Sequence, residues 1–185
     1  VQFDRMEPVP FTKDFVECDL KEMEIPERTL RIGESAFRDC TAMKSLVVKN
    51  NCIKIGERAF ENCAALSEIK LPEGLKEIYG GVFNSCKSLK SITLPEKLTI
   101  LGESAFSDCI ALESIAFPAG IMEIGANAFN NCLALTTVKF PASLRIIGAA
   151  AFYGTGLTTV TFENENGWTY ADNLRHLRLG CNEAW

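Results

Sequence analysis

Ile32-Gly33-Glu34-Ser35-Ala36-Phe37 is followed three residues later by Cys40, and three later again by Met43. Related hexapeptides end at Phe60, Phe83, Phe106, Phe129 and Phe152, each 23 residues after the last. Cys63, Cys86, Cys109 and Cys132 follow the next four phenylalanines at the same distance, and Leu66, Leu89, Leu112 and Leu135 follow those. Each such residue opens the pattern L-x-x-I-x-L-P, seen most clearly in Leu89, Ile92, Leu94 and Pro95. The last coil is one residue short, so Phe152 leads to Thr155 and then Leu157, Val160 and Phe162. An earlier copy with the same deletion runs through Phe15, Cys18, Leu20, Met23, Ile25 and Pro26. Seven strand motifs therefore begin at Leu20, Met43, Leu66, Leu89, Leu112, Leu135 and Leu157. A fixed period of this length is the mark of a repeat architecture.

The columns of the repeat predict the shape of one coil. Ile92 and Leu94 are two apart, which is strand spacing, so they face one side while Ser91 and Thr93 face the other. Pro95 has no N–H and ends the strand. A second apolar pair, Leu98 and Leu101, predicts a second short inward-facing segment. Gly33, Gly56, Gly102, Gly125 and Gly148 mark a tight bend, through positive φ or close backbone approach. The stretch from glycine to cysteine has room for no more than one helical or 3₁₀ turn. No coil buries its apolar edge alone, so neighbours must do it for one another. The phenylalanines should stack as a buried ladder. The reading is a solenoid, a right-handed superhelix of about seven 23-residue coils, rich in β-structure with short helical or 3₁₀ turns. Residues 20–162 form it, 1–19 cover its start, and 163–185 make a C-terminal cap or tail.

The I-G-x-x-A-F-x-x-C signature resembles the BspA-like class of leucine-rich repeats, over about residues 15–162. Lys97 stands where the commoner ribonuclease-inhibitor type carries asparagine or cysteine. The resemblance implies a secreted or surface-attached protein, chiefly bacterial, that adheres to host proteins or other cells. Fold does not by itself fix function.

Eight cysteines among 185 residues raise a disulfide or metal reading. Six of them, Cys18, Cys40, Cys63, Cys86, Cys109 and Cys132, share one column and are expected as buried, reduced thiols. Cys52 takes the place of a core leucine. No C-x-x-C occurs, and His176 with Cys181 offers two ligands where structural zinc wants four. No metal or cofactor is expected.

The formal net charge of −5 argues against nucleic acid, whose phosphates need a basic face. No stretch approaches the roughly 20 apolar residues of a membrane span. The chain opens at Val1 without a basic-then-apolar leader, so any secretion signal is expected to have been removed or to lie outside this sequence. Catalysis needs unlike polar groups converging on one concave site. Here like residues are spread along ridges, the only histidine lies in the tail, and no phosphate loop is present. The expectation is a monomeric, non-enzymatic binding module for an extracellular protein or glycan, with a structural spacer as the alternative. Contact is expected through outward strand residues on successive coils, among them Glu68, Lys70, Ser91, Thr93, Ser114, Thr137 and Lys139. Tyr79, standing where other coils have glycine, is either an exposed interaction point or a local repacking.

Overall fold

The computed structural model describes residues 18–50 and 52–163. It is a parallel β-solenoid. The strands are β1 (Glu22–Ile25), β2 (Arg31–Ile32), β3 (Ser45–Val48), β4 (Lys54–Ile55), β5 (Glu68–Lys70) and β6 (Glu77–Ile78). They continue with β7 (Ile100–Leu101), β8 (Glu123–Ile124), β9 (Thr137–Phe140), β10 (Ile146–Ile147) and β11 (Thr159–Phe162). The longer strands form two separate sheets, β1-β3-β5 and β9-β11, with Thr93 and Ala116 joined by an isolated bridge in the coils between. The two-residue strands form a second ladder, β2-β4 and β6-β7-β8-β10. Every pair is parallel and advances one coil, as Glu22 to Ser45 to Glu68 shows.

The phenylalanine ladder is as the repeat predicts. Phe37, Phe60, Phe83, Phe106, Phe129 and Phe152 are buried. Consecutive ring centroids lie 5.1–5.6 Å apart with planes within 18° of parallel. A centroid distance above the ~4.8 Å coil spacing means the rings are offset, the arrangement their quadrupoles prefer. A second aromatic column, Phe117, Phe140 and Phe162, joins it in the last coils. Phe117 and Phe140 meet Phe129 and Phe152 edge to face.

The bend from glycine to cysteine departs from expectation. Among the described residues it contains no helix, neither α nor 3₁₀. Positive φ falls two residues after the glycine column, at Ser35, Arg58, Gly81, Ser104, Asn127 and Ala150. It falls again at Asp39, Asn62, Ser85, Asp108, Asn131 and Gly154. These reversals turn alternate peptide units so that three N–H groups per coil donate to the next coil. Ser35, Phe37 and Asp39 donate to the carbonyls of Glu57, Ala59 and Glu61, and the pattern repeats through Asn127, Phe129 and Asn131. The glycines themselves serve close approach. A Cβ at Gly56, Gly102, Gly125 or Gly148 would stand 2.2–2.7 Å from backbone of the preceding coil.

The cysteine column is buried from Cys40 to Cys132, and Cys52 is buried as a leucine substitute. Cys63, Cys86, Cys109 and Cys132 are free thiols. Cys18 and Cys40 are not: they form a disulfide, which corrects the expectation of a wholly reduced column. The bridged pair is 22 residues apart, one fewer than every later neighbour pair in the column. A Cα separation of 4.7 Å lies within bridging range. The proposed cover 1–19 and tail 163–185, with His176 and Cys181, lie almost wholly outside the described residues.

Candidate functional site: the outward strand face

Strand alternation puts the fourth and sixth positions of each L-x-x-I-x-L motif inside and leaves the third and fifth outside. Glu68, Lys70, Ser91, Thr93, Ser114, Thr137 and Lys139 are all exposed. Their inward neighbours Ile92, Ile115 and Val138 are buried. Stacking gathers them into two rows. One passes through Glu22, Ser45 and Glu68, and the other through Glu24, Val47 and Lys70. Farther along, Thr137 is level with Thr159, and Lys139 with Thr161. The face changes character on the way. Coils one to three carry the carboxylates of Glu22, Glu24 and Glu68, while the later coils carry mainly hydroxyls.

Its charges are largely surface charges. Lys49 pairs with Glu24 at 2.5 Å, and that hydrogen-bonded carboxylate pushes the ammonium pKa up. Lys139 reaches Glu163 at 2.9 Å and holds that carboxyl below its ordinary range. Lys70 and Lys97 make no ion pair among the described residues.

Tyr79 lies apart from this face. It follows β6 in the second ladder, is half-buried against the core, and has the Lys54 ammonium 4.6 Å from its ring centroid. Glycines in this column donate their N–H to the previous coil, as Gly56 does to Ile32 and Gly102 to Ile78. A Cβ has no room in that arrangement, and β4 and β6 do not pair. By strand pairing, coil three joins the earlier coils through β5 and the later coils through β6, while the bend hydrogen bonds cross both junctions.

The same coil carries a feature the sequence did not announce. The long-strand ladder stops at β5, and a cleft of about 830 Å³ opens between coils three and four. Lys70, Leu71 and Glu73 stand on one side, with Thr93, Leu94 and Lys97 on the other. Asn50 lines it too, and also a smaller depression of about 420 Å³ reaching Glu27 and Lys49. One signal was available. Lys49-Asn50 replaces the proline turn that Pro26, Pro72, Pro95, Pro118 and Pro141 hold in other coils.

Among the described residues, no three histidine, cysteine or acidic side chains are placed to hold a metal ion. No helix among them is long and apolar enough to cross a membrane.

The family model for BspA type leucine rich repeat regions matches in six copies, over residues 12–135 and 99–173. Among solved structures, a leucine rich cell surface protein of Faecalibacterium prausnitzii A2-165 is 32% identical with a TM-score of 0.73. The match covers 79% of this chain and 40% of that one. A leucine rich repeat protein of T. pallidum is 27% identical with a TM-score of 0.73, over 78% of this chain and 72% of that one. A leucine-rich repeat protein of Bacteroides ovatus is 25% identical with a TM-score of 0.56, over 74% and 50%. No curated protein matches.

Proposed function

This chain belongs to the BspA-type leucine-rich repeat family, and from that premise we propose that it is a non-enzymatic binding module of a surface or secreted protein. Its partner is a protein or glycan met through the outward strand face. The observation that carries the reading is the rows of outward residues, in register over coils one to three and again over coils six and seven, with the cleft between coils three and four beside them. Such a strip suits an extended partner, because contact energy accumulates along it without a deep pocket. The surface location draws on the Faecalibacterium relative, described as a cell surface protein. This chain spans 40% of that relative's length, which favours a second reading, a rigid spacer within a larger protein.

Screening the purified monomer against extracellular-matrix proteins and a glycan array tests the proposal. The expected result is saturable binding that survives moderate salt, since a chain of net charge −5 has no polyanion term to lose. Binding that disappears between 50 and 200 mM salt, as counterion release predicts for polyanions, would refute it. So would a screen with no partner at all, which would leave the spacer.

A further inference from the structure

We propose that the Cys18–Cys40 disulfide is a redox clasp on the first coil, the one bond of the cysteine column open to exchange with an external dithiol. The loop it closes, from Cys18 to Cys40, contains all of β1 and β2. Among the described residues β1 pairs with β3 alone, so the clasp adds a covalent tie to an outermost described strand.

The two sulfurs are unequally placed. Cys40 is completely buried and Cys18 is half-buried, so Cys18 is the partner with exposure to solvent and the one assigned the attack. A thiolate of the dithiol attacks Cys18 Sγ, forming a mixed disulfide and expelling the Cys40 thiolate, which takes up a proton. The second thiol of the reagent then attacks its own sulfur in the mixed disulfide and releases Cys18 as a thiol. Two electrons and two protons have passed from the dithiol, which leaves as a disulfide. A small-molecule or thioredoxin-type dithiol has the required chemistry.

The bond does not migrate along the column. The nearest candidate attacker, Cys63, is buried and donates its S–H to the carbonyl of Phe37 at 3.1 Å. Burial pushes its pKa up to about 12, so almost none of it is thiolate at neutral pH. Cys86, Cys109 and Cys132 are held in the same way by Phe60, Phe83 and Phe106. The free thiols therefore insulate the clasp, and redox chemistry is confined to one end of the described stack.

Native alkylation with iodoacetamide, mapped by peptide mass spectrometry, tests the proposal on the full chain before and after dithiothreitol. In the air-oxidised protein, Cys18 and Cys40 are expected in one linked peptide, with Cys63, Cys86, Cys109 and Cys132 unlabelled. After reduction, Cys18 and Cys40 should label while those four stay protected. Tryptic cleavage at Arg28 and Arg31 should accelerate at least tenfold, and cleavage at Lys87 should not change. Cys18→Ser should behave as the reduced protein without reductant. If that variant does not fold, the wild-type comparison decides alone. Free Cys18 in the oxidised protein, a Cys40–Cys63 link, labelling of the four inner thiols on reduction, or unchanged cleavage in coil one would each overturn the clasp. None of these readouts depends on finding a binding partner.

Discussion

A cysteine in the repeat column does more than fill space. Each free thiol from Cys63 to Cys132 donates to a phenylalanine carbonyl 26 residues earlier, tying side chain to backbone across a coil boundary. Thr155, in the same column, donates its hydroxyl to the Phe152 carbonyl of its own coil instead. Burial raises the pKa of Cys63 and Cys132 to about 12, and of Cys86 and Cys109 well above the ordinary value. An unfolded thiol ionises near pH ~8.5. The folded chain thus keeps protons that the unfolded chain loses, so stability is full below that pH and falls as pH rises toward about 12. The slope is about 1.4 kcal/mol per pH unit for each thiol. Melting temperature should therefore drop steeply from pH 9 to 11, and less steeply in Cys109→Ala. A flat profile would contradict the burial. Beside the thiols, Phe83→Ala should cost about 3–5 kcal/mol in urea denaturation, since its ring stacks on both neighbours. Burial of both columns was legible from period alone. The direction of each S–H and the Cys18–Cys40 bond were not, because a column fixes position and leaves sulfur geometry open.

At the scale of the element, the bend replaces a helical turn with alternating right- and left-handed residues. The spacing predicts a bend at the glycines, through either positive φ or close approach. Close approach is the answer. The left-handed positions are not legible in the sequence because one column mixes Ser35, Arg58, Gly81 and Ala150, and no residue type there announces its conformation. Asparagine and aspartate in the other column fit better, since they tolerate that region. They also bond to each other, as Asn62 does to Asp39 and Asn131 to Asp108. The two kinds of glycine should respond differently to a methyl group. Gly125→Ala drives its Cβ to 2.6 Å from backbone atoms of Gly102 and Glu103, neither of which gives way cheaply. Gly120→Ala meets nothing nearer than 3.9 Å. Thermal denaturation should show a loss of more than about 3 kcal/mol for the first and less than about 0.5 for the second. Equal effects would mean that the coils separate easily at the bend.

For the whole molecule, the solenoid and the identity of its outward face could be read directly from the spacing. The cleft could not, because it arises where the pairing of the long strands is interrupted, and a periodic reading assumes that this pairing continues. Tyr79 is the visible trace of one interruption: its Cβ enters a space that the other coils leave to hydrogen, and β4 and β6 part. A binding strip spanning many coils has no single indispensable residue. Alanine at Ser91, Ser114 or Thr137 should weaken binding only a few-fold. Arginine at all three should abolish it, with circular dichroism unchanged because the three side chains are exposed. Surface-binding assays on partners from the screen would measure both. A folded triple variant that binds as well as the parent would move attention to Lys70, Thr93 and Lys97 in the cleft.

The ladder at the bend also has a direction. The carbonyls of Glu57, Ala59 and Glu61 point back to the coil that donates to them, while Arg58, Phe60 and Asn62 point their N–H groups forward. Each of these carbonyls shares a planar peptide unit with the following N–H, so three dipoles per coil lie parallel to the solenoid axis. A dipole of ~3.5 D repeated every ~4.8 Å is equivalent to about 0.15 elementary charge at each end of a column. Three columns together give roughly 0.5, as much as an α-helix of any length. Its positive end lies at the coil of Phe152, where the peptide planes aim the N–H groups of Ala150, Phe152 and Gly154 away from the stack. A protein with no described helix is thereby polarised along its length as one long helix would be.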